Sequence, residues 1–222
     1  MTESLEVRWF LEAAPFPPSV FFDRKHLSEP SVDWYASPCG EQFSVKLRDD
    51  RLETKIRIAS LGSQKFPHAA GNVEHWAKWS TAFRGPSMTE AELESAGWVA
   101  VEKLRYIRIF AVDDSSVREV DSHPKANTQF EWTAVTASDR MWCSIAFDAF
   151  GDGSLRALKT NLTRLIAFLF KRRLRSSVLT LSDSFGYPRL LQTRVPSSEE
   201  QDRVVNDMSD SSAATECRGK LR

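Results

Sequence analysis

The sequence predicts an α+β fold: strands through the first 150 residues, peripheral helices, and a long helix that closes the domain. Three observations carry this. Apolar and polar side chains alternate in seven segments before residue 150, the apolar period becomes helical from about residue 154, and large apolar side chains become scarce after Val195.

The first strand is residues 5–12, where Glu6, Arg8, Phe10 and Glu12 share one face and Val7, Trp9 and Leu11 the other. Residues 42–48 and 52–58 follow in "VKLRDDRLETKIR", a hairpin pattern in which two aspartates interrupt alternating runs and tolerate turn geometry. Alternation continues at 72–80, 99–110, 128–136 and 141–150. In "SMTEAELESAGW", Thr89 with Glu92 three residues on is a capping box and Gly97 a C-terminal stop, so a short helix is predicted over 90–96. In "SLRALKTNLTRLIAFLFKRRLR", Leu155, Leu158, Leu162, Leu165, Ile166 and Leu169 recur at helical spacing. Residues 1–195 therefore read as one domain, and 196–222, rich in Ser, Asp and Glu, as a disordered tail too apolar-poor to offset its ordering entropy.

The 30 basic and 30 acidic residues cancel, which argues against a nucleic-acid or membrane binder that relies on overall positive charge. Any charge-driven function is local. Cys39, Cys143 and Cys217 have no metal-ligand spacing and cannot all pair within one chain, which points to a reducing, cytoplasmic setting. The start "MTESLEVRWF" lacks the pattern of a signal peptide, and the longest apolar stretch, "LIAFLF", is too short to span a bilayer.

Alternation concentrates cations. Lys46 and Arg48 share a face of one hairpin strand, and Lys55 and Arg57 share a face of the other with Glu53. Glu74 with Lys78, and Lys103 with Arg105, repeat the pattern on later strands, while Arg108 falls on the opposite face. Crowded like charges repel, so the face is either well solvated or holds an anion. Glu6, Glu53, Glu74, Glu131 and Asp148 punctuate the same strands; they either pair with the cations or position a divalent metal against phosphate oxygens.

The order of these features resembles the CYTH domain, or triphosphate tunnel metalloenzyme superfamily. The resemblance runs from "EVRWF" through "DWY", "VKLR", "LETKIR", "VEHWAKWS", "VEKLRYIR", "VREVD" and "FEW" to "WCSIAFDAFGD", over roughly residues 5–170. It implies an antiparallel, tunnel-like β-barrel of about eight strands, whose inward cations bind a polyphosphate chain and whose glutamates position Mg2+ or Mn2+. On that resemblance Arg8, Lys46, Arg48, Lys55, Arg57, Lys78, Lys103 and Arg105 are expected to bind substrate. Glu6, Glu131 and Asp148 are expected to be catalytic and to ligate metal. Two positions depart from the family's opening signature: Arg8 stands for its second glutamate and Phe10 for its lysine, and later Thr133 stands for a paired glutamate. The basic set is thus better preserved than the metal set.

The implied function is binding of a triphosphate or other phosphorylated ligand, with metal-dependent hydrolysis by a divergent phosphohydrolase as one outcome. A non-catalytic protein-interaction or scaffold domain is the alternative. His26, His68, His75 and His123 form no metal or catalytic spacing, and "GDGS" lacks the lysine of a phosphate loop. The tryptophans, among them Trp9, Trp76, Trp79, Trp132 and Trp142, read as packing groups. "FKRRLRSS" reads as a solvated helix end whose cations suit the C-terminal dipole, or as a contact for acidic lipid, RNA or a partner.

Overall fold

A computed structural model describes residues 1–37, 40–85, 88–151, 153–174 and 179–194; the predicted tail and part of "FKRRLRSS" lie outside the described residues. Nine strands form in chain order: β1 (Thr2–Leu11), β2 (Ser31–Ala36), β3 (Phe43–Arg48), β4 (Arg51–Phe66), β5 (Ala69–Ala82), β6 (Trp98–Val112), β7 (Val117–Glu119), β8 (Thr128–Ala137) and β9 (Arg140–Phe150). Helices α1 (Glu90–Ser95), α2 (Leu155–Arg173) and α3 (Tyr187–Arg194) complete the elements used below.

Every strand pairing is antiparallel, in the order β2-β3-β4-β5-β1-β9-β8-β6, and pairing of β2 with β6 closes the eight into a barrel. β7 adds to β6 beyond the closure. Closure removes the exposed edges that an open sheet would leave and sends alternate side chains inward.

The hairpins owe their tightness to their turn residues. Asp49 and Asp50 both adopt left-handed geometry, with φ of 45° and 56°, as do Ser138 and Asp139, with φ of 46° and 60°. This is the geometry of a two-residue hairpin turn whose twist matches the flanking strands. Helix α1 starts at the predicted capping box: the Glu92 carboxylate accepts from Thr89 N–H at 2.7 Å, and the Thr89 hydroxyl accepts from Glu92 N–H at 3.3 Å.

The main core lies outside the barrel wall, where α2 lays Leu158, Leu162, Leu165, Ile166 and Leu169 against Leu5, Val7, Trp9, Ile145 and Phe147. Phe22, Phe130 and Phe147 stack in sequence at 4.8 and 4.5 Å between ring centroids, so the segment after β1 packs under α2 as well. Each fully buried Leu or Phe contributes roughly 1.5–3 kcal/mol by area removed from water. Trp9, Trp76, Trp132 and Trp142 are buried, as packing groups should be, whereas Trp79 is exposed.

A second apolar cluster closes one end of the barrel. Helix α3 brings Leu190 and Leu191, preceded by Phe185, onto Phe10, Tyr35, Val101, Val135 and Trp142. Phe10, on the inward face of β1, stacks on Phe185 at 5.4 Å, so the barrel interior is blind at this end.

Strands β2 and β7, helix α3, and the extension of β4 over 59–66 were not predicted. The extended part of β4 carries register shifts between Arg57 and Ala59 and between Ser60 and Ser63, with Gly62 at φ 77°, which breaks the alternation. Pro188 lies in the first turn of α3, where its missing N–H has no intrahelical partner to lose.

Candidate functional site

The inward face of the barrel encloses a cavity of about 460 Å³. Seven cations line it, Arg8, Lys46, Arg48, Lys55, Lys78, Lys103 and Arg105, against four carboxylates, Glu6, Glu53, Glu131 and Asp148. All come from alternate positions on strands that the closure brings face to face. Arg57 shares their face of β4 but sits off the cavity wall, where it donates to Glu74.

Arg8 occupies the middle of the first charged group. Its Nε donates to Glu6 Oε1 at 3.0 Å, and its Nη1 donates to Glu131 Oε1 at 2.9 Å and to Ser144 Oγ at 2.8 Å. Lys55 Nζ donates to Glu6 Oε2 at 2.6 Å, and Thr133 Oγ1 donates to Glu131 Oε1 at 2.9 Å. Burial opposes ionisation of Glu131, but Arg8 and Arg105 outweigh it and hold its carboxyl at about 2. The same contest, decided by Lys55 and Arg8, leaves Glu6 well below the usual carboxylate range. Asp148 faces Glu6 directly across the β1–β9 ladder. Burial, reinforced by the Glu6 charge, pushes Asp148 well above its ordinary value, against the pull of Lys55 and Arg8.

Asp33 is the centre of the second group. Fully buried, it accepts from Lys103 at 2.7 Å, from Lys46 at 3.3 Å, from Arg105 at 3.5 Å, and from Arg48 through two nitrogens. Its burial is overcome by Lys103 and by the Arg48 hydrogen bonds, which hold it far below the carboxylate range. Lys103 also donates to the Tyr35 hydroxyl at 2.8 Å. Glu53 bridges Lys46 at 2.8 Å and Lys78 at 2.9 Å. Those cations outweigh its burial and hold it at about 2. Trp76 donates to Glu74 at 3.2 Å, and the Lys55 ammonium lies 4.9 Å from the centre of its ring.

The expected metal ligands do not fit a divalent ion as they stand. Glu6 and Glu131 each give one oxygen to the Arg8 guanidinium, and the other oxygen of Glu6 is held by Lys55. Among the described residues no group of three or more His, Cys, Asp or Glu side chains is arranged to hold a metal. A fixed guanidinium stands between carboxylates that a dication would need to approach together.

Sequence reasoning missed Asp33, Tyr35, Ser144 and Tyr187. The signal for the first two was in "DWY", whose alternation sends Asp33 and Tyr35 inward, but Asp33 becomes a hub only when β3 and β6 arrive on either side of β2. His26 and His75 pair with Glu119 and Glu3 away from the cavity, while His123 lies on its wall. Among the described residues no helix is long and apolar enough to cross a membrane. A comparison with models of known protein families finds no match to this chain, and neither does a comparison with curated proteins.

Proposed function

We propose that this protein binds a phosphorylated small molecule or short polyphosphate inside the barrel, and that the binding uses resident cations in place of a divalent metal. The observation that carries this reading is the cavity wall, where seven Lys and Arg side chains face four carboxylates, with Asp33 buried behind them as a fifth. In a confined space of low dielectric such an excess of positive charge favours a multiply charged anion. The eight-stranded barrel is compatible with the CYTH domain that the sequence resembles.

Lys55, Lys78 and Arg48 are the least buried of these cations, at 29, 46 and 26% side-chain exposure, and are the first that an entering anion meets. Each is already paired, so a ligand exchanges carboxylate partners for phosphate oxygens. Binding without efficient turnover follows, because Glu6 and Glu131 are committed to Arg8. The buried free thiol of Cys143 suits a cytoplasmic protein.

Calorimetric titration with sodium triphosphate tests the proposal, first in EDTA, then in Mg2+ or Mn2+, with phosphate release assayed in the same samples. Saturable binding in EDTA without release is expected. Binding or release that appears only with metal would overturn the metal-free part, and absence of binding under all conditions would overturn the whole. A protein-interaction role is the second reading, favoured by Phe43, Ile56, Ile58 and Trp79, exposed large apolar side chains on β3, β4 and β5. Concentration-dependent self-association with no anion binding would favour it.

A further inference from the structure

We infer that the hydroxyl of Tyr187 donates a hydrogen bond to the terminal phosphoryl group of the ligand at the closed end of the cavity, so that α3 completes the binding site as well as plugging the barrel. This rests on the proposed binding of a phosphorylated anion in the barrel. It adds a residue and an orientation: the ligand enters with an unsubstituted phosphoryl end first, and any substituent stays toward Lys78 and Arg48.

The ring of Tyr187 is fixed by its neighbours. Phe10 meets it edge-on at 4.9 Å, Tyr35 stacks on it at 5.7 Å, the Lys103 ammonium lies 3.8 Å from its centre, and the Arg8 guanidinium 5.0 Å away. The phenol oxygen is nevertheless buried without a hydrogen-bond partner, although Tyr187 lines the cavity. Buried hydroxyls are normally paired, so this one is a donor with capacity for an acceptor from the cavity. Three other buried side-chain atoms are unpartnered among the described residues. Ser31 Oγ and Trp132 Nε1 belong to residues off the cavity wall, and Glu53 Oε2 has the Lys46 ammonium 2.8 Å away. The neighbouring Tyr35 hydroxyl shows the contrast, since it already accepts from Lys103.

The acceptor that suits this hydroxyl is set by its surroundings. Burial pushes the Tyr187 phenol further up, despite the Arg8 charge, so it keeps its proton and donates. Phosphoryl oxygens only accept, and the adjacent Arg8 and Lys103 supply the opposing charge. Beyond Tyr187 the way is blocked by Phe10, Phe185 and Leu190, so whatever reaches this hydroxyl is an end of the ligand.

The test compares the full-length protein with its Tyr187→Phe variant, using sodium triphosphate and cyclic trimetaphosphate, which has no terminal phosphoryl group. Wild type should bind triphosphate about tenfold or more tightly than Y187F, the effect of one hydrogen bond to a charged acceptor, whereas trimetaphosphate, whose ring presents no chain end to the closed end of the cavity, should lose less. Melting of ligand-free Y187F should match wild type or exceed it, because no protein partner is lost. Equal triphosphate affinities, an equal loss for the cyclic anion, or a destabilised ligand-free variant would each overturn the inference. Failure of wild type to bind any phosphate would instead defeat the tunnel reading beneath it.

Discussion

Replacement of Asp33 by Asn isolates the electrostatic design of the barrel. Asn keeps the shape and one acceptor oxygen but removes the charge that Lys46, Arg48, Lys103 and Arg105 share. Lys103 is 4% exposed and its burial already pulls its pKa well down, so without Asp33 it is either a stranded ammonium or sheds its proton, and the cost of a stranded charge is the upper limit. Breaking a buried charge pair by removing one partner costs about 3–5 kcal/mol. For a chain of this size each kcal/mol moves the melting midpoint by roughly 2–4 °C, so D33N should melt some ~6–20 °C below wild type. The variant should also be rescued by anions, because an entering phosphate replaces the missing charge: sodium triphosphate should raise its midpoint more than that of wild type. Urea denaturation and thermal melts with and without triphosphate measure both effects. The exposed pair Asp121–Lys125 provides the control, and D121N should leave the midpoint unmoved. A D33N protein as stable as wild type, or one that triphosphate does not rescue, would refute the idea that Asp33 neutralises a buried cation cluster.

Acid should unfold the protein through its ion-paired carboxyls. Glu53 and Glu131 are held at about 2 against a usual 4.5, so their stabilisation is complete above pH 4.5 and is lost as pH falls towards 2, with an upper bound of roughly 3–4 kcal/mol for Glu131 and less for Glu53, whose partner Lys78 is screened by solvent. Asp148 acts with the opposite sign, since its raised value means the native state holds a proton that the unfolded chain releases above about pH 4. Urea midpoints that stay flat between pH 5 and 3 would contradict this assignment. Arg8→Ser removes the guanidinium between Glu6 and Glu131, and Mn2+ binding followed by electron paramagnetic resonance should appear in the variant and not in wild type. Equal Mn2+ binding by both proteins would show that Arg8 does not hold the metal's place. Gly71→Ala should destabilise by about 1–3 kcal/mol in chemical denaturation, because its added methyl would lie 2.6 Å from Trp9 Cζ2 and from Val7 Cγ2. A neutral result would mean that the β5 backbone yields at this point.

Much of the barrel was legible because its strands obey a strict period of two, and closure turns that period into an inside and an outside. Alternation puts Glu6 with Arg8, Lys46 with Arg48, Lys55 with Glu53, and Lys103 with Arg105 on shared faces, whereas which face turns inward is implied only by the resemblance. Their pairing follows from neither. Arg8 meets Glu131 across 123 residues, a contact set by the β1–β9–β8 register, which single-strand periodicity does not encode. Helix α3 escaped notice because Pro188 reads as a break, and its place at the end of the barrel depends on tertiary packing against Phe10 and Trp142. The metal expectation came from the resemblance, and Arg8 was the residue in the sequence that spoke against it.

The most direct test of the account is a crystal structure of the full-length protein with sodium triphosphate in EDTA. The account predicts the phosphate chain inside the barrel, its outer oxygens on Lys55 and Arg48 and its terminal oxygens within hydrogen-bond reach of Tyr187 and Arg105. An anion found only outside the barrel, on the exposed Arg156 and Lys159 of α2, with the Asp33 and Arg8 ion pairs undisturbed, would contradict it.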